Sequence, residues 1–167
     1  MADYAHPESL VDTQWVADHG NDNNVRLVEV DVDTSAFEQG HIAGAVGWNW
    51  QSQLQQSLRR DLISKEELEQ LLGGSGIDNN TTVVLYGDNN NWFACWAFWQ
   101  LKYYGHNDVR VMNGGRAKWE ADGRPLTTTA ANASAKSYQA SSPNESIRAY
   151  RDQVLASVNA GKVALVD

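Results

Sequence analysis

Apolar residues fall along the chain in short blocks whose period changes from block to block. Residues 25–30, Val-Arg-Leu-Val-Glu-Val, form a short β-rich run that reads as a buried strand. Residues 81–86, Thr-Thr-Val-Val-Leu-Tyr, give the clearest strand signal in the chain, and 109–112, Val-Arg-Val-Met, another. A short strand is also entered at Ala43-Gly44-Ala45-Val46. Between these runs the spacing becomes helical. Residues 10–19 read as a short amphipathic helix with Ser9 as a plausible N-cap, and 37–41 as a helical turn ended by Gly40. Ser64-Lys65-Glu66-Glu67 is a capping-box sequence, and the helix it opens carries Leu68, Leu71 and Leu72 on one face before Gly73-Gly74. Residues 92–104 are nearly all apolar or aromatic, which predicts a buried helix, and 117–122 predict a short one.

Strands and helices alternate with short loops. That order predicts the α/β class, with a mainly parallel central sheet and helices on both faces. In such sheets a site lies where the carboxyl end of a strand turns into a helix. The loop Gly87-Asp88-Asn89-Asn90-Asn91, between strand 81–86 and helix 92–104, is the best candidate.

The pattern changes after residue 125. Residues 126–144 are rich in Thr, Ala, Ser and Asn and read as a linker. Glu145-Ser146-Ile147 then leads a helix to Val158, and 163–167 read as a strand. The chain opens in the same order, with Glu8-Ser9-Leu10, a helix, then Leu27-Val28-Glu29. The offset is longer than any solenoid repeat. It predicts a domain over 1–125, a linker over 126–144 and the start of a second copy over 145–167. That last part should be loosely held or exchanged, since its strand lacks a sheet of its own.

Composition narrows the function classes. Hydrophobic residues are 42% of the chain, which is globular. The formal net charge is −8, and Arg59-Arg60 is the one adjacent basic pair, so no basic stripe exists for nucleic acid or for an anionic membrane surface. A single cysteine excludes an intrachain disulfide, and Cys95 with four scattered His does not make a Cys/His metal cluster. Neither a signal peptide nor a membrane span is read, so the expectation is a cytoplasmic protein without metal or cofactor.

The loop itself suggests an anion cradle, with several N–H groups and a helix dipole pointing one way. A Cys at its start would have a lowered pKa and could carry sulfur as a persulfide. Five segments resemble the rhodanese family of sulfurtransferases in order and spacing: Leu27-Val28-Glu29-Val30, Gly40-His41-Ile42-Ala43-Gly44-Ala45, Val83 to Gly87 before a loop and helix, Val111-Met112-Asn113-Gly114-Gly115, and Trp119 with Gly123 and Pro125. The two-copy layout resembles the tandem thiosulfate and mercaptopyruvate sulfurtransferases, in which the first domain is usually inactive.

That resemblance implies a rhodanese-like fold and an active loop that begins with Cys directly after the strand. Here that position is Asp88, so the domain is expected to lack catalytic residues of its own. Asp88, Asn89, Asn90, Asn91, Trp92 and Phe93 then form a vestigial site loop. Asp88 reads as a loop residue or N-cap, with a substrate-mimic or docking role as the alternative. Cys95 reads as a small core hydrophobe, His41 as structural, and the aromatics of 92–104 as core with a share at an interface. Where the family often has an anion-binding Arg, two residues after the first strand's acid, this chain has Asp31. The implied function is the non-catalytic N-terminal half of a sulfurtransferase. Its partner would be the C-terminal rhodanese domain of the same parent, which carries the persulfide cysteine between thiosulfate (or 3-mercaptopyruvate) and a thiophilic acceptor. The alternative is a stand-alone inactive module that binds a protein or an anion. A phosphatase of the same fold would need the same loop Cys and a longer loop.

Overall fold

A computed structural model describes residues 4–161 and 163–166. Its centre is a five-stranded sheet in the order β1-β5-β4-β2-β3. The strands are β1 (Leu10–Val11), β2 (Val25–Asp31), β3 (Val46–Asn49), β4 (Thr82–Tyr86) and β5 (Val109–Met112). Every pairing between them is parallel, with Leu27 opposite Val84 and Val84 opposite Arg110. The helices are α1 (Thr13–His19), α2 (Ser35–Gln39), α3 (Trp50–Gln53), α4 (Lys65–Gly74), α5 (Trp92–Tyr103), α6 (Gly115–Ala121) and α7 (Arg151–Ala160). The fold is α/β, as the alternation predicts.

A parallel sheet covered on both faces explains why its strands read as almost unbroken apolar runs. Successive side chains go to opposite sides. Val28, Val30, Val83 and Leu85 join one cluster, with Leu68 and Leu72 of α4 and Ala94, Ala97 and Leu101 of α5. Leu27, Val84 and Tyr86 join the other, with Val16 of α1 and Trp119 of α6. The capping box at α4 is closed in both directions, Glu67 N–H to Ser64 Oγ at 3.2 Å and Ser64 N–H to Glu67 Oε2 at 2.8 Å.

Several boundaries depart from the sequence reading. Residues 10–19 are not one helix. Leu10 and Val11 add an edge strand beside β5, and α1 begins after Asp12, whose carboxylate accepts the Trp15 N–H at 2.7 Å. A β-branched residue before a carboxylate cap suits strand then helix, and the open edge of β5 supplies the pairing. Helix α5 is not wholly buried. Ala94, Ala97, Gln100 and Leu101 face the sheet, where small residues allow close approach, while Trp92 is 73% exposed. The sheet covers one side of an apolar helix; the other shows Phe93, Trp96, Phe98 and Trp99 half-buried. Cys95, expected in the core, lies on that exposed side. Helix α6 opens at Gly115, two residues early.

Residues 126–144 contain neither helix nor strand element, yet they lie pinned along the domain. Thr127 makes an antiparallel bridge to His41, and the His41 ring reaches the Phe37 and Thr129 carbonyls at 2.8 and 3.1 Å. Lys136 N–H donates to the Gly73 carbonyl at 2.9 Å. A Cβ on Gly73 would come within 2.6 Å of the Lys136 oxygen, so this crossing requires glycine. Tyr138 and Ala140 are buried in the main cluster. Beyond Asn144 the contacts thin out. Helix α7 has no buried residue, and Val154, Leu155 and Val158 are exposed. Residues 163–166 form no strand, and Asp167 lies outside the described residues. A lone strand has no ladder to complete its backbone hydrogen bonds.

Candidate functional site

The carboxyl ends of β2 and β4 lie side by side in parallel register, with Glu29 opposite Tyr86. That register brings Asp31, at the end of β2, to the loop after β4. Gly87 makes the junction. A Cβ there would sit 2.5 Å from the Val30 carbonyl oxygen and 3.0 Å from Asp31 Oδ1. Asn89, Asn90 and Asn91 then take φ of 46°, 57° and 65°, a left-handed run that asparagine tolerates better than most residues. The backbone curls tightly, as an anion cradle would require.

Asn91 locks the curl from behind. It is buried, its Oδ1 accepts the Gly87 N–H at 3.1 Å, and its Nδ2 donates to the Met112 carbonyl at 2.7 Å. Gly115 leaves the space for it, since a Cβ there would meet Asn91 Oδ1 at 2.4 Å. Asp88, Asn89 and Asn90 line a cleft of about 220 Å³ together with Gly87, Arg116 and Glu120. Trp92 and Phe93 begin α5 outside that cleft lining, their rings stacked at 5.8 Å. The six residues of the predicted loop therefore divide into three that line the cleft, one that braces it and two that lead into the helix.

The charges around the loop oppose an anion. Asp88 N–H donates to Asp31 Oδ1 at 3.0 Å. Asp31 is 1% exposed. Burial pushes its carboxyl up to about 8; the Asp88 carboxyl and the charges of Glu29 and Asp88 add to the rise, while the Asp88 N–H bond opposes it. The one cation lining the cleft, Arg116, is already engaged. It donates to Glu29 Oε1 at 2.5 Å, to the Gly40 carbonyl at 2.6 Å and to Glu120 at 3.0 Å. Desolvation works against its charge, but Glu29 and Glu120 outweigh that and raise its pKa. Tyr86 closes the network. Its hydroxyl donates to Glu29 Oε2 at 2.7 Å and accepts the Ile42 N–H at 3.1 Å. Beside that carboxylate and out of water, its pKa lies well above the ordinary value.

The sequence marks Asp31 only as standing where the family often has arginine, and no local pattern shows that Glu29, Arg116 and Glu120 neighbour the loop. Arg116 directly follows the Gly114-Gly115 turn, at a helix start, where a cation is out of place electrostatically. That was the available signal. Cys95 is absent from the cleft lining, and partial burial pushes its thiol above the ordinary range.

Residues 12–122 match the rhodanese-like domain family. The chain belongs to that family. A sulfur carrier protein of Thermus thermophilus, TtuD, is 53% identical over 167 residues, covering 98% of this chain and 59% of that protein. A protein of Saccharopolyspora erythraea, provisionally named thiosulfate sulfurtransferase, is 48% identical over 96% of this chain and 56% of its own length. The chain thus spans less than two thirds of these relatives. The crystal structure of SseA from Escherichia coli, a 3-mercaptopyruvate sulfotransferase, matches with a TM-score of 0.76 at 19% identity, over 93% of this chain and 63% of that one, which shows the shared fold. Among the described residues no helix is long and apolar enough to cross a membrane, and no group of three or more His, Cys, Asp or Glu could hold a metal ion.

Proposed function

We propose that this rhodanese-like chain is the non-catalytic N-terminal domain of a sulfurtransferase. The reaction served would move sulfane sulfur from thiosulfate or 3-mercaptopyruvate to a thiophilic acceptor. The persulfide cysteine would be on a C-terminal rhodanese domain of the same parent protein. The observation that carries this reading is the loop after β4, headed by Asp88 where the resemblance implies a cysteine, in a cleft whose lining contains no thiol. A thiolate takes sulfur by attacking the outer sulfur of thiosulfate, expelling sulfite with the bonding electron pair. A carboxylate is far less nucleophilic toward sulfur, and here it faces a second carboxyl rather than a free cation. Two further features support a partner domain. The longer relatives carry additional chain, and α7 leaves Val154, Leu155 and Val158 exposed.

The test is thiocyanate formation from thiosulfate and cyanide by this chain, with mass spectrometry for an added sulfur atom. Neither thiocyanate nor a persulfide is expected. Turnover that survives Cys95→Ser would overturn the non-catalytic assignment. Turnover abolished by Cys95→Ser would make Cys95 the nucleophile.

A further inference from the structure

The loop has lost its thiol at one position, but the structure places a second obstacle to anion binding behind it. We infer that Asp31 sets the charge preference of the Asp88 loop, so that the cleft is closed to anions by two residues and restoring a thiol alone would not reopen it. The inference rests on Asp88 holding the nucleophile position.

The geometry is specific. An anion-stabilising loop needs its backbone N–H groups aimed at the ligand and a cation or dipole behind them. In this chain the first of those groups, Asp88 N–H, is spent on Asp31 Oδ1 at 3.0 Å. The acceptor is a carboxyl held out of water under the strand ends, with Gly87 packed against it. Its charged neighbours are Glu29 on its own strand and Asp88 in the loop, both negative. Arg116 could offset them, but Glu29, Glu120 and the Gly40 carbonyl take its donors. A thiolate, a persulfide or thiosulfate seated at residue 88 would therefore meet a carboxyl where it needs positive potential. Asp31 is a positioning residue in this sense: it takes the N–H that an anion at residue 88 would need, and once ionised it opposes a second negative charge there. The same features leave the cleft tolerant of a neutral or protonated occupant.

The experiment uses the full 167-residue chain carrying Cys95→Ser, so that the thiol introduced by Asp88→Cys is the single one present. The pH dependence of its alkylation by iodoacetamide gives the thiol pKa. Asp88→Cys removes one of the carboxyls that hold Asp31 protonated, so Asp31 ionises ahead of the new thiol, whose midpoint is then expected at or above the free value of about 8.5. Adding Asp31→Asn, which keeps an oxygen acceptor of the same shape, is expected to lower it by about one unit or more. A purely structural Asp31 would leave the midpoint unmoved, and that result overturns the inference. So does a midpoint already well below about 8.5 in the Asp88→Cys chain. The two readings fail separately. Sulfur transfer by the unaltered chain would remove the non-catalytic assignment without touching the Asp31 comparison.

Discussion

Replacing Arg116 with Met strips the buried Glu29 carboxylate of its one ion-pair partner among the described residues. Glu29 has no exposed side-chain surface, and Arg116 is 13% exposed. After the change Glu29 keeps the Tyr86 hydroxyl on Oε2, while Oε1 loses the Arg116 donor. Removing one member of a buried pair typically costs about 3–5 kcal/mol, because the remaining charge is left uncompensated. The Gly40 carbonyl also loses its side-chain donor, which is worth about 1 kcal/mol more. A domain of this size has about 5–15 kcal/mol in all, so Arg116→Met should bring the chain close to its unfolding threshold. Glu29→Gln should be milder, about 1–3 kcal/mol, since Arg116 keeps Glu120 and the Gly40 carbonyl. With both changes no bare charge remains, and the loss should fall short of the sum by about 1–3 kcal/mol. Urea unfolding at neutral pH, followed by tryptophan fluorescence, measures all four members of the cycle. If the two losses add to within about 0.5 kcal/mol, Glu29 and Arg116 are not coupled and this account of the strand ends is wrong.

Two other buried polar groups lead to predictions of opposite sign. Gln100 is fully buried on α5 with neither Nε2 nor Oε1 hydrogen-bonded, so Gln100→Met, of similar volume, should raise the urea midpoint by the equivalent of about 1–2 kcal/mol without changing the slope. A fall would show that Gln100 has a partner in solution. His106 is buried between the Tyr138 hydroxyl and the Thr81 carbonyl at 3.1 and 3.0 Å, and desolvation lowers its pKa. The unfolded chain therefore binds a proton more readily than the folded one. The contribution of His106 is complete above the unfolded value of about 6.5 and is lost as pH falls through the folded pKa. The stability deficit of His106→Gln relative to the unaltered chain should accordingly shrink between pH 7 and 5, and a deficit independent of pH would contradict the buried-neutral assignment.

The strands around Leu27, Val84 and Val111 were legible because a doubly covered parallel sheet demands apolar β-rich runs on a scale of five or six residues. The capping box at Ser64 and the glycine ending at Gly73 are likewise local signals, complete within a few positions. The tight loop at Asp88 could be found for the same reason. Helix α5 was overburied because periodicity reports which residues are apolar, not how many sides are covered. Leu10 and Val11 looked helical because the edge of β5 that recruits them lies far along the chain.

By itself, then, the sequence determined the alternating strands and helices, the place of the site loop and the absence of a thiol at its head. The tertiary structure alone decided what surrounds that loop. Asp31 and Asp88 are 57 residues apart, Glu29 and Arg116 are 87 apart, and His106 and Tyr138 are 32 apart. Their meeting depends on strand order and register, which arise from packing across the whole sheet. A single carboxylate at residue 88 is visible in the letters. That a second, buried carboxyl takes its N–H, and that the nearby arginine is already occupied, follows only once β2, β4 and α6 are brought to the same end of the sheet.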